Sequence, residues 1–273
     1  MQEKQNELHY SLNSYLNSSQ DNPELLQRIT RGYKSLFTKN FKPPETTSRF
    51  TIETLALKTK DYLTTPYYGA VRNLGKFVKK ELKPFISYFF IHGSLATMDY
   101  TEGFSDLDTY IFIKKDVCND PAKLKKLKET LTNGQEILKK IDYNSHHGFL
   151  CCNEANLDYY CNAYMPIPVF RNAKLLLGKK QITFNLRDSR KEHLNYFERF
   201  SKIISDKKRF TSSRVNIYEF KYMVSIILLM PTLYLQVKGL NLYKKKSFKL
   251  YTNPLLIRAS LVRNNFKKKG LKE

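Results

Sequence analysis

The chain has no tryptophan and is poor in acidic residues. Lys and Arg number 47 against 25 Asp and Glu, a formal net charge of +22. So few carboxylates make a poor host for a polycationic ligand. The positive field instead attracts polyanions: nucleic acid, nucleoside triphosphates or an anionic membrane surface. Cysteine is scarce too. Cys118, Cys151, Cys152 and Cys161 form no C-x-x-C pair, and adjacent Cys151-Cys152 is a poor metal-ligand arrangement. They read as small buried side chains in a reducing compartment. Long apolar runs are missing: Met223 to Leu235 is interrupted by Ser225, Pro231 and Thr232 and falls short of the roughly 20 residues of a membrane span. The opening MQEKQNELHY is polar, with no signal-peptide core. A cytoplasmic protein with no membrane span is expected. There is no internal repeat. What is plentiful is aromatic: 19 Tyr and 18 Phe stand in for Trp within a hydrophobic fraction of 41%. Over 273 residues that suffices for one large domain or two modest ones.

Apolar spacing divides the chain. Residues 1–40 carry helical periodicity, broken by Lys42-Pro43-Pro44, and Asp21-Asn22-Pro23-Glu24 is a helix-start signal. Helices are then expected over 51–63 and 66–82. A strand follows from Ile86 to Ile91 and another from Tyr110 to Ile113. An amphipathic helix is expected over 121–141, a strand pair over 148–152 and 157–163, and a short helix over 166–177. From about Arg187 onward only helical patterns remain, over 189–206, 214–238 and 246–266. The expectation is an α+β protein: an N-terminal helical segment (1–84), a core with a small mixed β-sheet (85–180) and a C-terminal helical bundle (181–273).

The most informative stretch is IHGSLATMDYTEGFSDLDTYIFI. Gly93-Ser94 follows one apolar run, and Asp106-Leu107-Asp108 precedes the next. Side chains alternate along a strand, so Asp106 and Asp108 point one way and Leu107 points into the core. Two carboxylates on one face repel unless they share a hard divalent cation, and Mg²⁺ prefers oxygen ligands. Gly93 has no side chain, so backbone amides there can approach a phosphate. The Ser94 hydroxyl adds a donor.

This Gly-Ser, spacer, Asp-x-Asp pattern with its apolar flanks resembles the signature of the DNA polymerase β-like nucleotidyltransferase superfamily. The resemblance covers roughly Phe85 to Lys115. It implies a nucleotidyltransferase core binding one or two Mg²⁺ ions, with Mn²⁺ as a substitute, through Asp106 and Asp108. It implies nucleoside triphosphate contacts at Gly93 and Ser94. A third carboxylate from a later strand is also implied, as metal ligand or base. Asp158 matches best, ahead of Glu154 and Asp142. His147 is the alternative base, its unperturbed pKa being near neutral. Cations for the pyrophosphate are sought among Arg171, Lys174, Lys179 and, on a bundle helix, Lys221.

A rival spacing, Arg187 to His193, fits the loose Arg-x(4–6)-His pattern of HEPN ribonucleases and is easily met by chance in a basic chain. The function implied is transfer of an NMP from an NTP to an acceptor hydroxyl. The basic balance favours RNA as acceptor, such as a tRNA 3′ end, as in toxin-type members, with an antitoxin or homo-oligomer as further partner. The alternatives are a protein- or antibiotic-nucleotidylating enzyme, and a degenerate, non-catalytic nucleotide- or RNA-binding module.

Overall fold

The computed structural model describes residues 2–36, 38, 41–102, 105–140, 148–206 and 217–251. It is a mixed α+β chain that divides into two units: Met1–Cys161 with Val169–Arg187, and Asn162–Pro168 with Asp188–Glu273. The elements in order are α1 (Gln2–Asn17), α2 (Pro23–Leu36), β1 (Thr46–Glu53), β2 (Leu55–Ala56), α3 (Tyr68–Phe77), β3 (Ile86–His92), α4 (Gly93–Thr97), β4 (Asp108–Ile113), α5 (Lys115–Cys118), α6 (Pro121–Lys139), β5 (Leu150–Asn153), α7 (Ile167–Phe170), β6 (Lys174–Leu177), β7 (Gln181–Arg187), α8 (Arg190–Ser205), α9 (Ile217–Val237) and α10 (Lys244–Tyr251).

The first unit is built on a five-stranded sheet, ordered β2-β6-β3-β4-β5. Central β3 runs antiparallel to both neighbours, whereas β4 and β5 are parallel. Alternation gives the sheet two apolar faces. Phe89, Ile91, Ile111 and Ile113 pack into a core shared with Leu12, Tyr15 and Leu16 of α1, Leu74 of α3 and Leu124, Leu127 and Leu131 of α6. The opposite face is aromatic: the Phe170 ring lies 5.4 Å from Phe90 and 5.3 Å from Tyr110, and 5.0 Å from Phe184. The long helix α6 starts where the sequence signals it. Asp120 accepts backbone bonds from Ala122 and Lys123 at 2.9 and 3.1 Å, with Pro121 at the first helical position.

Three expectations are corrected. Residues 46–53 form a strand and not the helix expected from 51 onward; Phe50 and Ile52 alternate against Phe184 and Ile182 of β7 in a two-stranded antiparallel ribbon. Residues 154–159 form a 3₁₀ helix in place of a second strand. Asn153 closes it by accepting from the Ala155 amide at 2.8 Å, and a single extended residue, Tyr160, bridges to Leu186. The helix expected over 166–177 is one turn, after which Lys174–Leu177 joins the sheet.

The second unit is helical. Phe197 of α8 meets Tyr234 of α9 at 6.1 Å, and Tyr234 meets Tyr251 of α10 at 5.5 Å. Buried Thr232 and Ser247 share a hydroxyl bond of 2.8 Å. Asn162 donates to Asn241 at 2.7 Å and takes the Ile167 amide at 2.9 Å. No helix among the described residues is long and apolar enough to cross a membrane.

Candidate functional site

The two halves of the Gly-Ser…Asp-x-Asp pattern are the two ends of one loop between neighbouring strands. The β3–β4 register pairs Phe90 with Tyr110, Ile91 with Thr109 and His92 with Asp108. The chain therefore leaves β3 and enters β4 at the same point of the sheet. Gly93 takes a φ of 70°, which L side chains rarely adopt. A Cβ there would collide with Asp108 Oδ2 and sit 3.2 Å from its Cγ. The missing side chain thus makes room for the second carboxylate. Leu107 is 3% exposed and belongs to the helical core, while Asp106 and Asp108 on either side remain partly exposed. Leu107 turns into the core, and the strand itself begins only at Asp108.

The loop is pinned on both sides of α4. Tyr62, in a 3₁₀ turn over Thr59–Tyr62, donates its buried hydroxyl to Leu95 O at 2.9 Å. Burial raises its pKa to about 12, so it stays a donor. Tyr67 and Tyr100 meet edge-on at 4.7 Å. The Ser105 amide donates to Thr101 O at 2.8 Å, and the Thr101 amide donates to Ser105 Oγ at 2.9 Å. That closed turn delivers the chain to Asp106.

The other predicted residues divide differently. Asp158 does not join the pair. It lies in the 3₁₀ helix after β5, its side chain 61% exposed and ion-paired to Lys115 at 3.1 Å. Because β5 is parallel to β4, with Asn153 beside Ile113, the residues after it emerge at the far end. Six residues of β4 separate the two ends, roughly 17–20 Å at strand rise. Lys174 reaches the right end, paired with Ile91, but paired residues share a face. It therefore sides with Ile91, and Asp108 is on the other face with His92 and Tyr110. Arg171 directly follows Phe170, whose ring covers Tyr110 on the Asp108 face. Lys179 follows β6 at the far end. Lys221 lies in α9, in the second unit, with its side chain outside the described set. His147 also lies outside the described residues. The chain nevertheless enters β5 from the Asp108 end, since Leu150 pairs with Tyr110.

Sequence reading missed His92. Its place two residues beyond Phe90 and just ahead of the glycine was visible, but its partnership with Asp108 needed the register. Among the described residues no group of three or more His, Cys, Asp and Glu side chains gathers into a metal cluster. Two carboxylates are still enough for Mg²⁺, which keeps several waters and takes one or two carboxylates plus substrate phosphates. The donor set fits that ion. A groove of about 670 Å³ on α8 and α9, with Arg199 and Lys202 in its wall, contains none of the pattern's residues. No protein-family model, no curated protein and no solved structure matches the chain.

Proposed function

We propose that the protein is a metal-dependent nucleotidyltransferase that moves an NMP from an NTP to an acceptor hydroxyl, with RNA as the acceptor. The observation that carries this reading is the packing of the Asp108 carboxylate into the space left by Gly93. It sets the turn that would carry the phosphates against Asp108, one of the two carboxylates that would hold the metal. Asp106 and Asp108 would hold Mg²⁺, which when bound supplies charge neutralisation for the phosphates. The backbone at Gly93 and the Ser94 hydroxyl would hold the β- and γ-phosphates. The acceptor oxygen attacks the α-phosphorus in line, the bond to the bridging oxygen breaks and pyrophosphate leaves. With Asp158 remote, His92, opposite Asp108 in the strand register, is among the described residues the group we assign to take the acceptor's proton.

The net charge of +22 favours a polyanionic acceptor. A tRNA 3′ end is the simplest such hydroxyl. The remoteness of Asp158 favours a second reading, a nucleotide- or RNA-binding module without turnover. One experiment separates them: each α-labelled NTP with Mg²⁺ and total RNA. Label on RNA is expected, and Asp106→Asn or Asp108→Asn should each cut it about 100-fold or more with the melting curve unchanged. Equal labelling by Asp108→Asn would falsify the assignment. Saturable NTP binding without label transfer would establish the binding module. RNA affinity should fall linearly on a log–log plot against salt.

A further inference from the structure

Among the described residues no strand pairs with the outer edge of β1. Its inner edge is occupied by β7, with Arg49 opposite Asn185, Thr51 opposite Thr183 and Glu53 opposite Gln181. The Thr54 amide donates to Lys180 O at 2.7 Å. In an antiparallel ladder, residues alternate between pairs that exchange main-chain bonds and pairs that do not. Counting back from Thr54, Ile52 and Phe50 turn their amides and carbonyls to β7. Arg49, Thr51 and Glu53 turn theirs to the open side. Every residue of β1 except Ile52 is exposed. Phe50 is 37% exposed although it sits beside fully buried Phe184. Among the described residues neither Arg49 nor Glu53 forms an ion pair.

We propose that a second copy of this chain pairs with this edge, antiparallel, about a two-fold axis through Thr51. That register sets Thr51 opposite Thr51 and each Arg49 opposite the other copy's Glu53. All three outward-facing residues then enter bonded pairs, and the charges match twice. Sliding by two residues puts a Thr opposite a charge. Sliding by four opposes Arg49 to Arg49 or Glu53 to Glu53. The same register brings each half-covered Phe50 beside the partner copy's Ile52, an aromatic–β-branched pair of the favourable kind. The product is a four-stranded sheet, β7-β1-β1-β7. A two-fold contact uses the same edge on both copies and closes, so it covers an edge that would otherwise invite open-ended association. The contact is independent of the nucleotidyltransferase reading.

The test is Thr51→Cys under oxidised glutathione. Bonded antiparallel pairs have Cα atoms about 5.5 Å apart, within disulfide range. The four native cysteines are all buried and silent. Expected is a disulfide-linked dimer from Thr51→Cys, formed much faster than from Asn133→Cys at an exposed position of α6. Sedimentation of the untagged full chain should give a dimer. Arg49→Glu should weaken association roughly tenfold, and Arg49→Glu with Glu53→Arg should restore it. A monomer at about 100 μM with no preferential Thr51→Cys cross-link overturns the proposal. So does a dimer that Arg49→Glu leaves unchanged or that the double swap fails to restore.

Discussion

Gly93 answers two demands with one residue. Its φ of 70° strains any L side chain, and its missing Cβ is the space that the Asp108 carboxylate uses. Gly93→Ala should therefore cost about 1–3 kcal/mol in urea melts, and under the proposed nucleotidyltransferase function it should also reduce NTP turnover by displacing Asp108. Gly69, in α3, is the control: a Cβ there meets nothing within 4 Å. Gly69→Ala should be neutral or slightly stabilising, because alanine is the better helix former. If Gly93→Ala melts like the parent, the steric link between the two halves of the pattern is wrong. The pattern was legible because it is local. Gly93, Ser94, Asp106 and Asp108 belong to one loop, and alternation alone sends Leu107 inward. Asp158 was illegible for a specific reason. Apolar periodicity carries no strand direction, and whether a residue after β5 arrives beside Asp108 or beside Ile113 depends on that direction alone. Parallel pairing sent it to Lys115.

At the scale of elements, the least visible device is the helix that closes the sheet's edge. Strand β5 is the last in the order, so its outer amides and carbonyls need partners. Helix α1 supplies them from two asparagines four residues apart. Asn13 Oδ1 accepts from the Cys151 amide at 2.8 Å, and its Nδ2 donates to Cys151 O at 2.8 Å. Asn17 Nδ2 donates to Phe149 O at 3.0 Å. The match is geometric: four residues of helix rise about 6.0 Å, and two residues of strand about 6.6 Å. Asn13→Ala would strand both main-chain groups of buried Cys151. A loss of about 2–6 kcal/mol is expected, at roughly 1–3 kcal/mol for each of the two buried unmet groups, with faster hydrogen exchange at the Cys151 amide. Unchanged exchange there would rule out the clamp. Element type was readable where the period was long and capped, as in α6. It failed at β1, where apolar residues at 50, 52, 55 and 57 satisfy two periods at once. The arbiter is the alternation of Ile182, Phe184 and Leu186, more than a hundred residues away.

For the whole molecule, among the described residues each unit carries a buried histidine held neutral. His9 of α1 is 7% exposed, and burial lowers its pKa to about 3. His193 of α8 is 3% exposed. Burial lowers its pKa to about 4, although the Glu192 and Asp188 carboxylates and the Gln236 side chain pull upward. An unfolded histidine binds its proton near pH 6.5, before either folded site does. The stability from exclusion of these protons is complete above pH 6.5. It is lost as pH falls, down to about 4 in the second unit and about 3 in the first. At pH 5 each site has lost about 2 kcal/mol, at 1.36 kcal/mol per pH unit. Carboxylate protonation acts in the same direction, because it raises a net charge already at +22 and with it the self-repulsion of the compact state. The histidine share can be isolated by substitution. His193→Gln should flatten the fall in urea stability between pH 6.5 and 4 for the unfolding of the second unit, and His9→Gln should do so for the first. Slopes that stay parallel to the parent's in both variants would show that acid acts through the surface charge alone.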